Sequence, residues 1–434
     1  MIPEYGDVVK VHTKEAVYEG ILIPRPQIFE EDHTIIKLEN GYNIGVENKK
    51  ITKIEVIKKY GKKKEEKIKL RHKEGLPAIS ILHTGGTIAS KVDYRSGGVV
   101  AAFSPEDIVY MFPELAEIAN IDSELIANMW SDDLRFPHFK LISKTIQKKV
   151  KEGVDGIIIG MGTDNLAVAS AALAFIIEQT PVPIIFAGAQ RSSDRGSSDA
   201  AMNLICAAEF IAKTDFAGVA ICMHEQTDDK TCAILPPTKT KKLHSSRRDA
   251  FKTVNDTVIA RVDYNSRKIH FVKKDYNKKD KNRKLIIKPN MEEKVGLLKI
   301  TINMFPEHFE FFKNYKGLVI EGTGLGHTPG QVPNDLAKIH ETIFPAIKKV
   351  IDSGCIVVMT TTCLFGRIEM QVYSKGRDLL KLGVIPGEDM LPETAFVKLA
   401  WLLANYKKEE VKELTGQNLR GEISERSDEK AFLY

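Results

Sequence analysis

The sequence holds little sulfur and no pattern in what it holds. Five cysteines are spread over 434 residues, at Cys206, Cys222, Cys232, Cys355 and Cys363. Their number is odd and no pair has C-x-x-C spacing. That argues against a disulfide framework and against structural zinc, and it suits a reducing cytoplasm. Long apolar runs are missing too. The stretch from Leu166 to Ile177 is the longest worth weighing. It is far short of the roughly 20 residues a bilayer needs, and its many alanines read as a buried helix, so no membrane contact is expected. The opening, Met1 to Asp7, lacks a basic start followed by an apolar stretch, so no signal peptide is expected. His224, His308 and His327 do not cluster at ligand spacing, so no metal site is expected. Gly322-Thr323-Gly324-Leu325-Gly326 lacks the dinucleotide spacing and reads as a structural echo of an earlier glycine-rich turn. No internal repeat is present.

What is there is ordinary in bulk and uneven in layout. Apolar residues make up 43% and charged residues 28%, as in a folded soluble protein, and the length suits two or three domains. The net charge is +5. Residues 58–74 carry nine Lys/Arg against three Glu, and residues 267–288 carry ten against two Asp. These two stretches therefore hold +6 and +8, which leaves the rest of the chain near −9. A Lys-rich run is more often a solvated loop than a contact surface. The functional alternative is contact with a polyanion such as RNA.

The organisation follows from turn signals and periodicity. Residues 1–57 read as about five short strands, with a tight turn at Asn40-Gly41 and a bulge at Gly20, which suggests a small β-barrel. Residues 58–77 read as a charged linker. From Ala78 onward, apolar strands alternate with helical stretches. Strands are expected at 78–82, 156–159, 183–187 and 218–223, and helices at 105–119 (Ser104 as N-cap), 141–151, 165–178 and 199–212. Extended strands around a basic turn are expected over 258–290. A second α/β unit then has strands at 297–300, 317–320 and 355–359 and a final helix over 393–404. This rhythm argues for an α/β body with a parallel sheet covered on both faces. The expected domains are 1–57, 78–290 and 291–434. Sites in such sheets lie just past the C-terminal strand ends.

Two of those strand ends carry threonine-rich, glycine-flanked turns: Thr84-Gly85-Gly86-Thr87-Ile88-Ala89 and Gly160-Met161-Gly162-Thr163-Asp164-Asn165. A hydroxyl is a poor nucleophile until a base takes its proton. Hydroxyls from two strand ends, with a carboxylate beside one, are the material of a threonine hydrolase. The glycines let backbone N–H groups approach a substrate oxygen. A lone threonine at a strand end is usually a satisfied turn residue, and Thr84 is read so. Asp164 alone would be an ordinary helix cap, and Lys242 alone a surface lysine of the run Lys239, Lys241, Lys242.

Together, the two turns and Lys242 ahead of Asp249-Ala250-Phe251 resemble the L-asparaginase/glutaminase family over residues 78–405. More narrowly, the small β-barrel ahead of that body resembles the D-subunit group of archaeal Glu-tRNA(Gln) amidotransferases. So do Trp130-Ser131-Asp132-Asp133, His244 to Phe251, and Gly376-Arg377-Asp378-Leu379-Leu380. The resemblance implies a two-domain asparaginase-like body in which Thr87 is the leading nucleophile and Thr163 the second hydroxyl. Lys242 would be base toward Thr163 (Lys241 is the other reading), with Asp164 orienting that pair and holding the substrate α-amino group. Ser131 and Asp132, where many asparaginases carry Ser-Gln, would grip the substrate. Gly86 and Gly162 would line its site, and Tyr94 would close over it. The resemblance further implies glutamine or asparagine as amide donor and no cofactor in this chain. It implies a kinase/transferase partner, the E component of the amidotransferase, using ATP and magnesium, with tRNA(Gln) as the aminoacyl carrier, and a homodimeric core. A free-standing cytoplasmic L-asparaginase is the alternative. Residues 1–77 discriminate, because simple asparaginases begin close to the first threonine turn.

Overall fold

The computed structural model describes residues 2–24, 32–39, 42–59, 72–86, 90–92, 99–101, 105–191 and 197–432. Thr87, Tyr94 and Ser104, and most of the expected linker, lie outside the described residues.

The N-terminal strands are β1 (Val8–Thr13), β2 (Val17–Ile23), β3 (His33–Lys37), β4 (Asn43–Glu47) and β5 (Ile51–Lys58). They form one antiparallel sheet in the order β4-β3-β2-β1-β5. Val9 and Val11 of β1, Leu22 of β2, Ile36 of β3 and Val46 of β4 share one small core on one face of the sheet. The bulge expected at Gly20 is not there, since Gly20 pairs regularly with Val9. A Cβ at Gly20 would instead lie 2.2 Å from the Lys37 carbonyl oxygen, so the glycine serves a close backbone approach. The register shifts fall between β1 and β5.

The main body starts with β6 (Ala78–His83), β7 (Ser90–Val92), β8 (Val99–Ala101), α1 (Pro105–Met111), α2 (Leu115–Ile118), β9 (Asn120–Leu125), α3 (Phe136–Lys151), β10 (Gly156–Gly160), α4 (Leu166–Ile176), β11 (Ile177–Gln179), β12 (Pro183–Ala187), α5 (Ala200–Lys213) and β13 (Gly218–His224). It continues through β14 (Thr231–Leu235), β15 (Thr240–Lys242), β16 (Phe251–Thr253), β17 (Ala260–Asp263), β18 (Ile269–Phe271) and β19 (Ile286–Ile287). An eight-stranded sheet runs β18-β17-β14-β13-β12-β10-β6-β9. Its β9-β6-β10-β12-β13 part is parallel, as the alternating pattern predicts. The β14, β17 and β18 pairings are antiparallel, so the sheet is mixed. The helix expected over 105–119 is two helices. Pro113 cannot donate a backbone hydrogen bond and disfavours helical geometry at Phe112, which breaks the element between α1 and α2. Helix α3 starts five residues before its expected position. Pro137 suits its first turn, and the Arg135 backbone N–H is capped by His138 Nδ1 at 2.9 Å.

The C-terminal unit comprises β20 (Val295–Lys299), α6 (Pro306–Glu310), β21 (Gly317–Gly322), α7 (Ile343–Asp352), β22 (Ile356–Thr361), α8 (Ser374–Leu382), β23 (Ile385–Pro386), α9 (Pro392–Asn405) and α10 (Lys408–Thr415). Its four strands are parallel in sequence order. The two units share one apolar core, in which Phe175 of α4 and Trp401 of α9 stack at 5.8 Å, both fully buried. Burying each such ring contributes about 1.5–3 kcal/mol. After α10 the chain lies back over this junction. Lys398 meets Glu422 at 2.6 Å with both side chains buried, Thr238 Oγ1 donates to the Arg420 carbonyl, and Arg420 Nε donates to the Ala174 carbonyl.

The basic stretch 267–288 runs along this body rather than standing off it. Lys273 pairs with Asp256, Lys278 with Asp215 and Lys288 with Glu178, and Lys279 Nζ donates to the Ile211 carbonyl. Several of its charges therefore serve to lay the connector onto the body.

Candidate active site

The C-terminal ends of β6 and β10, neighbours in the parallel sheet, place the two glycine-rich turns side by side. The Thr84 N–H donates to the Gly160 carbonyl at 3.0 Å. Gly85 and Gly86 have φ of +104° and +88°, which favours glycine on conformational grounds alone. Space demands it as well. A Cβ on Gly86 would lie 2.5 Å from the Gly162 nitrogen, and one on Gly85 would lie 2.5 Å from the Met129 carbonyl oxygen. Thr84 is buried at the strand end, its backbone bonded to Gly160 and Met129, as its reading as a turn residue anticipates.

Thr163 sits between β10 and α4 and is buried. Lys242 Nζ donates to Thr163 Oγ1 at 2.9 Å and to Asp164 Oδ1 at 2.7 Å, across 79 and 78 residues of sequence. The lysine is 13% exposed and the carboxylate 64%, so the pair spans the wall of the site with the ammonium on the inner side. Asp164 spends its carboxylate on Lys242, and Asn165 stands at the N-cap position of α4 without a side-chain cap bond. Asn165 Nδ2 donates instead to the Ser131 carbonyl at 3.0 Å, and its backbone N–H to Ser131 Oγ at 3.3 Å.

The lysine register follows from strand alternation. Adjacent residues of β15 face opposite ways. Lys241 reaches Glu393 of α9 at 2.6 Å while Lys242 reaches Thr163. Lys239 is fully buried against Asp389 at 2.6 Å, and burial pushes its pKa below the usual lysine value in spite of that partner. Of the lysines at 239, 241 and 242, only Lys242 lies on the threonine. A cleft of about 100 Å³ opens beside it, lined in part by Asp164, Val168, Thr240, Leu391 and Glu393.

Ser131 is buried against Gly162, whose Cβ would lie 3.0 Å from the serine hydroxyl. Asp132 is exposed in the same short 3-10 turn. Thus Gly86, Gly162, Thr163, Asp164, Lys242 and Ser131 share one neighbourhood, with Asp132 at its edge. Thr87 and Tyr94 fall outside the described residues. Among those residues no group of three or more His, Cys, Asp or Glu has the geometry of a metal centre.

A third strand end contributes, and sequence reasoning missed it. After β12 comes Gly188, where a Cβ would lie 2.9 Å from Thr163 Cγ2. Two residues on, Gln190 Oε1 accepts a hydrogen bond from Thr163 Oγ1 at 3.4 Å. Buried Asp199 holds this turn by accepting from the backbone N–H groups of Gln190 and Arg191 at 3.0 and 2.9 Å. A strand followed at once by a glycine turn was the available signal, the same signal that marks the other two ends.

Comparison with known proteins finds three family models along the chain. Residues 78–276 match the family model described as Asparaginase, N-terminal. Residues 294–414 match the Glutaminase/Asparaginase C-terminal domain, and residues 3–57 the GatD N-terminal domain. Among curated proteins, the chain is 44% identical to the glutamyl-tRNA(Gln) amidotransferase D subunit of Pyrococcus furiosus, over 100% of this chain and 97% of that one. It is 43% identical to its counterpart in Thermococcus kodakarensis, over 99% and 96%. Among solved structures, the thermostable L-asparaginase from Thermococcus kodakarensis superposes with a TM-score of 0.69 at 29% identity, over 80% of this chain and 99% of that one. L-asparaginase I from Vibrio cholerae gives 0.68 at 25%, over 80% and 99%.

Proposed function

The chain belongs to the family of glutamyl-tRNA(Gln) amidotransferase D subunits, within the asparaginases, and from that premise we propose that its amide-splitting centre is built on Thr163, Lys242 and Asp164 together with Thr87. It is an amidohydrolase-type component that releases ammonia from an amide donor for a tRNA-dependent amidotransferase, rather than a free-standing asparaginase. The observation that carries the assignment of the centre is Lys242 Nζ at 2.9 Å from Thr163 Oγ1 and 2.7 Å from Asp164 Oδ1.

The chemistry runs in balanced steps. A threonine hydroxyl adds to the amide carbonyl of glutamine or asparagine, and its proton passes through the hydroxyl of Thr163 to Lys242, which takes part in this step as the neutral amine. The tetrahedral intermediate collapses with cleavage of the C–N bond. The nitrogen takes a proton from the lysine and leaves as ammonia. Water then opens the acyl ester, giving glutamate or aspartate and restoring the hydroxyl. Thr87 and Thr163 supply the two hydroxyls. Asp164 orients the lysine and faces the substrate's α-amino group. Gly86 and Gly162 allow backbone approach at the carbonyl, Ser131 and Asp132 hold the α-substituents, and Tyr94 covers the site.

In the same reading the ammonia passes to a kinase/transferase partner, the E component of the amidotransferase, which uses ATP and magnesium to convert Glu-tRNA(Gln) to Gln-tRNA(Gln). The division into 1–57, 58–77, 78–290 and 291–434, a homodimeric core and a cytoplasmic setting belong to this reading. Among the described residues no helix is long and apolar enough to cross a membrane.

The test is ammonia release from glutamine and asparagine by the native chain, Thr163→Val and Lys242→Ala, each with and without partner and Glu-tRNA(Gln). Both variants are expected to lose orders of magnitude with the fold intact. Near-normal turnover in both would remove the assignment.

A further inference from the structure

Gln190 has an acceptor in use and a donor to spare. Its Oε1 takes the Thr163 hydroxyl hydrogen at 3.4 Å. Its Nε2 is buried and has no hydrogen-bond partner among the described residues. A buried donor left unmet is costly, so native structures seldom keep one without a ligand or water to take it. The residue does not arrive there by chance of side-chain drift. Its backbone is clamped by Asp199, which is fully buried and in turn accepts from Asn203 Nδ2 at 3.2 Å, while the same Nδ2 donates to the Gly188 carbonyl at 2.9 Å. Gly188 then lets the turn close onto Thr163. Three residues are thus spent on presenting one carboxamide to one hydroxyl.

We infer that Gln190 is a substrate-positioning residue whose Nε2 N–H donates to an oxygen of the amino-acid amide lying beside Thr163. This rests on the proposed amide site and adds a residue to it. The chemistry selects the atom. An N–H needs an acceptor, which excludes the substrate's α-ammonium group and leaves a carboxylate oxygen or the amide carbonyl. The carboxamide divides its work. Oε1 orients the Thr163 hydroxyl, which also accepts from Lys242, so the hydroxyl hydrogen points away from the ammonium until the lysine is neutral. Nε2 meets the ligand.

The experiment is steady-state hydrolysis of L-glutamine by the chain with its partner, comparing the native protein with Gln190→Ala and Gln190→Asn. The asparagine variant keeps the amide but withdraws it by one methylene, and it covers the case in which the alanine variant does not fold. The expected result is a rise in KM of about tenfold, the scale of one lost hydrogen bond in a desolvated site. If the oxygen is a carboxylate held equally throughout the reaction, kcat stays within about threefold. If it is the amide carbonyl, where negative charge develops, kcat falls by about a hundredfold or more instead. Unchanged kcat and KM in the folded variants would overturn the inference. Failure of the site itself reads differently. Normal hydrolysis in both Thr163→Val and Lys242→Ala removes the site, whereas loss in those variants beside normal Gln190 variants removes only this contact.

Discussion

Replacing Gly86 with alanine tests the claim that the two threonine turns work only at backbone contact. The new Cβ would lie 2.5 Å from the Gly162 nitrogen and 2.8 Å from its Cα, where ordinary contact begins near 3.4 Å. Neither atom belongs to a flexible side chain, so the turns must separate by about 0.9 Å, the difference between those distances. A positive φ adds roughly 1–2 kcal/mol of strain for a residue with a Cβ. Misplacing reacting groups by about 1 Å costs near a hundredfold in rate, or about 2.7 kcal/mol in activation free energy. Gly86→Ala should therefore lose about two orders of magnitude in kcat as well as some stability. Gly75→Ala is the control: Gly75 has φ +86° but nothing within 4 Å of its would-be Cβ. It should cost stability and leave turnover alone. The assay is ammonia release at saturating glutamine, with a thermal melt of each variant. Turnover within twofold of native in Gly86→Ala, in a folded protein, would refute the reasoning.

Other outcomes follow from the same geometry. Lys241→Ala should keep most of its hydrolysis, in contrast to Lys242→Ala, because its partner is Glu393 on α9; equal losses in a side-by-side assay would contradict the strand register. Burial holds the His83 imidazole down, from 6.5 to about 4. Its neutral form therefore supports folding in full above pH 6.5, and that support is lost as pH falls toward 4, a change of about 3 kcal/mol. His83→Gln should flatten that part of a melting-temperature profile against pH, and an unchanged acid limb would count against it. Asp389→Asn leaves the buried Lys239 ammonium beside a neutral amide, and chemical denaturation should show a loss of about 3–5 kcal/mol. Adding Lys239→Met should restore part of it.

Much of the body was legible because its strands are short apolar runs bounded by glycine or proline. Pro183–Ala187 matches expectation residue for residue, and the helix expected last, over 393–404, is α9 and differs by one residue at each end, but α10 follows it and was not expected. The two threonine turns were legible for the same reason, as turns at strand ends. What brings Lys242 to Thr163 was not, since 79 residues intervene and only the tertiary path of β15 closes the gap. The choice between Lys241 and Lys242 is likewise a matter of strand face, which a run of lysines conceals. The antiparallel β14, β17 and β18 have no helix between them to announce their direction. The basic segment 267–288 read as a solvated loop because composition cannot reveal acidic partners such as Asp256, Asp215 and Glu178, distant in sequence. Gln190 passed unnoticed because a lone glutamine carries no chemical signature. The glycine turn after β12 marks the strand end, but it is the buried carboxylate of Asp199 beneath the backbone that singles out this residue.

The segment after α10 has a bearing on how this polypeptide tolerates shortening. Glu422 lies twelve positions before the end, yet its carboxylate neutralises Lys398 in the interior, and nearby Arg420 caps the carboxyl end of the helix whose opposite end adjoins Asp164. Trimming to the last helix would leave that cation inside the fold with the Thr415 carbonyl but without its carboxylate, and would loosen the far end of a rod that begins beside Asp164. A truncation meant to tidy a tail would then be felt as lost solubility and lost turnover together.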